Sequence, residues 1–405
     1  MAFWTIDAGR GIFPQLCVEL DFQSVPTSPT RFWTDVTNDV RALTYTRGGR
    51  TDELQRNQPG TLRAVFASKN GKYNFAPFTG WQPRRGMWIR VRAQWNGVVY
   101  ARWQGIVETI ELSWPQAGLD SIATFTASDA MKALNLFDLQ GQTFTAQTGD
   151  QRLSAICTLA GLTATIADTG ISTLVPVSTP LPNQSYADQH LQQVEQSENG
   201  FIFAGPDGTI VFQSRHYRTL FSHTPIGVVG DTGGTIPYRD SVVLQLDDAY
   251  LVNKVTVTPT NADGSLGTPV TVTDHVSSVQ YFARNTTVVD RTILVSGEAL
   301  AAAQWLLARY KEPSPRVPTV NVLGVRNPTQ WPTILAADNS DRLTFKRTAY
   351  SPIVQDCYVE QITDAIVPNT SWDVTFQLSP ADASLFWLAQ VVGFGEAGVT
   401  TRGSY

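Results

Sequence analysis

Alternating strands separated by Asn-Gly pairs constrain this chain more than any other feature. Thr61 to Ser68 alternates, with Leu62, Ala64 and Phe66 on one face, and Asn70-Gly71 follows as a two-residue hairpin signal. Trp88 to Trp95 alternates again: Ile89, Val91 and Ala93 face one way, Arg90, Arg92 and Gln94 the other. Asn96-Gly97 then turns the chain into VVYARWQGIVETIEL, and SIATFTASD continues the pattern. Both central residues of such a turn need left-handed backbone, which Asn and Gly tolerate best, and the hairpins they make are antiparallel. Residues 1–135 are therefore expected to form one antiparallel barrel or sandwich.

The next segment changes character. Asp150 is placed to cap a short helix carrying Leu153, Ile156 and Ala160, which Gly161 stops. Ser185 and Asp188 form a capping-box pattern ahead of a helix with Ala187, Leu191 and Val194 on one face, ended by Asn199-Gly200. FIF and TIVF flank a turn at Gly205-Pro206-Asp207-Gly208. Residues 136–222 thus read as a small α+β module. Strands resume over 223–382: NKVTVTPT and TPVTVTD flank Asn261-Ala262-Asp263-Gly264, and DRLTFKR, CYVEQITDAIV and SWDVTFQLS close the series. A helix over 297–312 is inserted among them, capped by Ser296 and ended by Pro313 and Pro315. Residues 383–405 form a C-terminal extension. The expected fold is mainly β, with two β-rich lobes flanking the α+β module.

Composition narrows the function classes. Charged residues are 16% of the chain, below the roughly 25% usual for soluble proteins, which suits a chain that lives in an assembly. The net charge of −5 provides no global basic field for nucleic acid or an anionic membrane. Cys17, Cys157 and Cys357 are odd in number and far apart, so they read as neither a disulfide framework nor a zinc site. The opening MAFWTIDAGRG lacks the pattern of a signal peptide, and the apolar stretch Ala299 to Leu307 is too short to span a bilayer.

Catalytic candidates are few. Asp168-Thr169-Gly170 and Asp231-Thr232-Gly233 resemble the paired carboxylates of aspartic proteases, which share a proton and activate water. The first, however, lies between a short helix and a loop, and Asp, Thr and Gly are common turn residues. His190, His216, His223 and His275 show no metal-ligand spacing, and no cofactor motif is present, so no metal or cofactor is expected. Eleven tryptophans could form a sugar-binding platform. Trp88, Trp95, Trp103 and Trp372 sit on alternating strands, however, where core or interface anchoring is the expected role.

The stretch TRGGRTDELQRNQPGTLRAVFASKNGKYN, Thr46 to Asn74, holds a single Arg-Gly-Gly-Arg cluster followed by Asp52-Glu53 and an alternating strand. That is a loop entering a hairpin, not a repeated nucleic-acid tail. The same stretch carries a family resemblance. WTDVTNDVRALTYTRGGRTDELQRNQPGTLRAVFASKNGKY, followed by GMWIRVRAQWNGVVYARWQGIVETIEL, resembles the N-terminal region of tail hub proteins of long-tailed bacteriophages, also called baseplate hub or minor tail proteins. The shared pattern is a Trp-x-Asp-Val-Thr opening, an Arg-Gly-Arg loop (here with an extra glycine, Gly48-Gly49), an Asn-Gly-Lys turn and a strand pair. ADQHLQQVEQSENGFIFAGPDGTIVFQSR, LVNKVTVT, ALAAAQWLLARYKEPSPRV and SWDVTFQLSP are similar to later parts of the family, so the likeness covers most of 30–380.

The resemblance implies two tail-tube-like antiparallel β-barrels per chain and a homotrimeric, pseudo-six-fold ring continuing the tail tube. Its implied partners are the tail tube or distal tail protein, the tape-measure protein and tip or fibre proteins. DNA crosses the lumen without specific binding. The implied setting is the tail tip of the virion, assembled in the host cytoplasm, with no membrane insertion and no enzymatic activity. In such a ring, Arg63, Arg90, Arg92 and Arg102 share the outer side of the first lobe by the period-two rule and meet a neighbour. The Arg47–Arg50 loop lies at a barrel end, so all six arginines are candidate subunit contacts. Two other readings compete: a tail-tip protein binding a host carbohydrate through clustered exposed tryptophans, and a protease bringing Asp168 and Asp231 together.

Overall fold

The computed structural model describes residues 11–381 except 29, 51–55, 75–82, 117–119, 222–223, 240, 247, 249 and 290–292. The N-terminal strands are β1 (Gln15–Asp21), β2 (Trp33–Asp35), β3 (Val40–Arg47), β4 (Thr61–Ala67), β5 (Trp88–Trp95), β6 (Val98–Ser113) and β7 (Ile122–Asp129). The middle module follows with α1 (Met131–Leu136), β8 (Gln147–Thr148), α2 (Gly149–Leu159), β9 (Ala164–Ile166), β10 (Thr173–Leu174), α3 (Ala187–Glu198), β11 (Phe201–Ala204), β12 (Ile210–Gln213) and α4 (Tyr217–Leu220). The rest comprises β13 (Gly227–Gly230), β14 (Lys254–Thr258), β15 (Val270–Thr273), α5 (His275–Tyr281), β16 (Asn285–Val289), α6 (Ser296–Tyr310), β17 (Thr319–Val322), α7 (Trp331–Ala336), β18 (Arg342–Arg347), β19 (Ile353–Val367) and β20 (Ser371–Pro380). The fold is mainly β, as expected.

Asn96-Gly97 makes its hairpin: Trp95 faces Val98 across the turn, and the two turn residues have φ of 49° and 83°. Asn70-Gly71 does not. Lys69–Gly71 is a single 3-10 turn, and β4 is already flanked by β3 and β7, so neither of its edges is left for a hairpin partner. Helix starts shift slightly from the sequence reading. Thr148, not Asp150, caps α2 through a capping box with Gln151, because the Asp150 carboxylate accepts from the Thr148 hydroxyl and the Gly170 amide. Ser185 and Ser296 cap nothing; Tyr186 and Val295 occupy those positions without side-chain bonds. Asn199 ends α3 in left-handed backbone, φ 46°.

One sheet spans both ends of the chain. Its order runs β13-β18-β19-β3-β4-β7-β6-β5-β1-β2, with β20 on the other side of β19 and β17 beyond it. The link is β3 to β19, where Leu43 faces Ile366 and Arg47 faces Ile362. Along that same edge β19 first pairs β18, from Ile353 to Tyr358, and then hands over to β3. Residues 236–239 complete a circuit among the C-terminal strands. Ile236 bonds to Val228 and Gly230 of β13, while Pro237 and Arg239 bond to Leu323 and Asn321 beside β17. Pairings therefore run from β13 through β18, β19, β20 and β17 and back to β13.

The core follows the sheet. Leu62, Ala64, Phe66, Ile89, Val91 and Ala93 are buried as the alternation predicts, in one cluster with Ile362, Trp372 and Phe376 from the far end of the chain. Trp331 sits between Trp95 and Trp372, with ring centroids 6.5 and 5.9 Å away. The middle module has its own core around Leu153, Ile156, Leu191 and Phe212. Within 223–382, β14 to β16 form a separate three-stranded sheet covered by α6, with a third core of Val255, Val257, Ala303 and Leu307. Among the described residues, no helix is long and apolar enough to cross a membrane.

Candidate functional site

Four β-bulges interrupt the long sheet, and each places a charged residue out of step: Arg41 on β3, Arg102 and Glu108 on β6, and Glu360 on β19. A bulge sets two consecutive side chains toward one side of the strand, which breaks the period-two alternation. Arg41 and Glu108 use it to reach the surface ions Asp120 and Lys132. Arg102 and Glu360 turn inward, and both are buried. This corrects the expectation that Arg102 shares the outer side with Arg63, Arg90 and Arg92: the bulge puts it beside Trp103 in the core.

Arg102 joins the two halves of the sheet. Its guanidinium donates to Asp364 Oδ2 at 2.8 Å, to the Leu335 carbonyl at 2.7 Å and to the Tyr45 hydroxyl at 3.3 Å. Asp364 also accepts from Trp372 Nε1 at 2.8 Å. Burial works against the charge on Arg102, but Asp364 and Tyr45 outweigh it and hold its pKa above the ordinary value. Arg47 sits close by, donating to the Ala337 carbonyl at 2.6 Å and to Asp338 at 3.0 Å. Two buried cations thus satisfy the carbonyls at the end of α7, where the helix leaves acceptors unpaired.

Glu360 organises a second centre, where the module meets the sheet. Arg218 of α4 grips it with two bonds of 2.6 and 2.9 Å, Ser379 Oγ donates at 2.5 Å, and Arg50 Nε lies 3.5 Å away. Phe201 contacts both cations, with Arg50 at 3.9 Å and Arg218 at 4.0 Å from the ring centroid. Glu195 of α3 lies 4.0 Å from Arg50, and burial pushes its carboxyl up to about 7. The loop is therefore buried against its own chain. Its two glycines are required: a Cβ on Gly48, whose φ is 72°, would meet the Glu360 carbonyl at 2.6 Å, and one on Gly49 would meet the Gln58 carbonyl at 2.5 Å.

The remaining arginines behave as the alternation predicts. Arg63 is exposed. Arg90 and Arg92 are half-buried and share Glu19, at 2.6 and 2.8 Å, with Arg90 also 4.2 Å over the Trp33 ring. Five of the six candidate arginines thus reach a carboxylate within their own chain.

The Asp-Thr-Gly pair does not converge. Asp168 accepts from the Ser214 amide at 2.7 Å and hydroxyl at 2.5 Å, and burial raises its pKa. Asp231 accepts from the Thr348 and Ala349 amides, which lower its pKa. Gly170 has a packing role, since a Cβ there would meet Asp150 and Glu198 at 2.8 Å. His190 is packed near Phe144, and burial lowers its pKa. His216 precedes α4 and His275 opens α5, while His223 lies outside the described residues, as does the 383–405 extension. Among the described residues no cluster of three metal-ligating side chains occurs. Trp88, Trp103 and Trp372 are buried and Trp95 half-buried; Trp114 is the one exposed tryptophan among the described residues.

No protein-family model matches the sequence, and no curated protein does. Solved structures do. A tail protein from Neisseria meningitidis MC58 matches with a TM-score of 0.60 at 11% identity, covering 91% of this chain and 97% of that one. The 43 kDa tail protein of prophage MuSo2 from Shewanella oneidensis matches with 0.56 at 15% identity, covering 91% and 99%. Prophage tail protein gp18 from Listeria monocytogenes EGD-e matches with 0.51 at 14% identity, covering 90% and 95%. The chain has the fold of phage tail proteins. In this tail-protein fold the join between the N- and C-terminal strands is made by buried charge as well as by strand pairing. Glu360, Asp364, Glu195 and Arg218, which the sequence reading did not single out, are central to it. Asp364 carried a readable signal, because it stands in step with the apolar Ile362 and Ile366.

Proposed function

We propose that this chain is the structural hub of a phage tail tip or baseplate. Three copies form a ring in which two β-lobes per chain, within 1–135 and 223–382, continue a six-fold tail tube. The 136–222 module stands between them, and 383–405 extends beyond. The ring joins the tail tube or distal tail protein and the tape-measure protein to tip or fibre proteins, and DNA crosses its lumen without specific binding. The role is non-enzymatic, in a virion component assembled in the host cytoplasm.

The observation that carries this reading is the two-way coverage by tail proteins: more than nine-tenths of both chains align in each case except the 90% of this chain matched to the Listeria protein. The continuous sheet supports it: β3, within 1–135, pairs with β19, within 223–382, which is compatible with two lobes side by side in a pseudo-six-fold ring. Arg63, Arg90 and Arg92 stay on the outer face and remain our proposed contact residues; Arg47, Arg50 and Arg102 hold the chain itself together. The test is a mass determination of the purified chain with imaging of the tail that contains it. Three copies in a ring coaxial with the tube are expected. A chain that is monomeric both in solution and in the particle would overturn the reading.

A further inference from the structure

Among the described residues, three arginines have a guanidinium with no hydrogen bond, ion pair or aromatic ring to engage it: Arg63, Arg326 and Arg347. Two of the three line the same groove. It has a volume of about 590 Å³ and lies against β13 and the closing segment 236–239, with Tyr238, Val242 and Tyr350 as its apolar and aromatic walls. Asp231 is the one acid among the described lining residues; it accepts from the Thr348 and Ala349 amides at 2.9 and 3.2 Å and forms no ion pair with either arginine. Tyr350 is 99% exposed, with left-handed backbone. The described lining of the groove is thus aromatic and net cationic, with two arginines against one carboxylate and neither guanidinium paired within the chain.

The described carboxylates show the complementary picture. Only Glu111 and Glu312 among them have no partner. Glu111 stands exposed on β6, three residues before the exposed Trp114. Glu312 has no exposed aromatic near it in sequence. The groove belongs to the β13 end of the strand order, whereas β6 lies toward the opposite end with β5 and β1. In a cyclic ring of the kind proposed above, unlike surfaces of neighbouring copies meet head to tail.

We propose that the groove receives the β6 strand end of a second copy of this chain, with the Glu111 carboxylate between Arg326 and Arg347 and Trp114 against the tyrosine wall. This rests on the ring reading above and gives that ring a specific contact. Guanidinium groups match a carboxylate bidentately, and a Trp anchored among aromatics is the usual centre of an interface.

Charge reversal tests it, because all the groups involved are exposed or half-exposed and can be changed without disturbing the core. Arg347→Glu and Glu111→Arg are each expected to weaken self-association by roughly tenfold or more in sedimentation, with unchanged thermal melts. The double variant Arg347→Glu/Glu111→Arg is expected to recover it. Trimers that tolerate both single reversals, or a double variant no better than the singles, overturn the contact while leaving the ring intact. Loss of association on Arg347→Glu alone, with Glu111→Arg indifferent, also overturns it, since a different segment then fills the groove. A wild-type chain that is monomeric at every concentration and in the particle removes the ring reading and this contact with it.

Discussion

Arg102 and Asp364 meet at 2.8 Å with neither side chain exposed, although 262 residues separate them in the chain. A buried ion pair of this kind adds little over an apolar pair of the same shape, but breaking it strands a charge in the core. Asp364→Ala is therefore expected to destabilise the fold by about 3–5 kcal/mol. Arg102→Met with Asp364→Leu should cost much less than Asp364→Ala alone. Urea unfolding of the three proteins checks this, and equal costs for the single and double variants would contradict it.

Gly48 gives a prediction about backbone. Gly48→Ala puts a Cβ at 2.6 Å from the Glu360 carbonyl on a residue with φ of 72°. A loss of about 1–3 kcal/mol is expected from the strained backbone alone, and more if the Glu360 bulge is displaced. The midpoint of chemical unfolding reads it directly.

Glu198 sets a pH dependence. Its carboxyl accepts from the Ile171 and Ser172 amides at 3.0 and 3.1 Å, yet burial dominates and pushes it up from 4.5 to about 7. The folded chain thus binds this proton more tightly than the unfolded one. The stability it contributes is fully present below about pH 4.5 and is lost as pH rises toward 7, on the order of 3 kcal/mol. Burial raises Glu195 and Asp129 to about 7 as well, so they act in the same direction. Glu198→Gln should flatten the fall in stability between pH 4.5 and 7 relative to wild type. An unchanged slope in that window would rule the assignment out.

Asp231 is expected to act as a loop clamp. Asp231→Ala should speed hydrogen exchange at the Thr348 and Ala349 amides while leaving the strands β18 and β19 protected. Exchange that is unchanged at those two amides would refute the clamp.

The sheet was legible because burial on one face imposes period two, and Leu62 to Phe66 and Ile89 to Ala93 obey it to the residue. Arg102 was misread for the same reason. The bulge sets Arg102 and Trp103 consecutively inward, but because the out-of-step residue is an arginine and not an apolar one the sequence carries no apolar doublet to mark it, and only the pairing with β5 shows the extra residue. Asn70-Gly71 looked like a hairpin because the pair is a local signal, and a local signal cannot report that both edges of β4 are taken. The buried junction was half-legible: Arg47 and Arg50 stood out, but their partners Glu195, Asp338 and Glu360 lie about 145 to 310 positions downstream, beyond the reach of any motif.

The pairing of β3 with β19 also sets a timetable for synthesis. Arg47 leaves the ribosome roughly 300 residues before its strand partner Ile362 exists. Through that interval β3 presents an open edge whose hydrogen-bonding groups invite pairing with other nascent chains. A ribosome that stops before residue 353 releases a chain with every N-terminal strand but no seam to close them, so premature termination should give aggregates and not a smaller soluble unit.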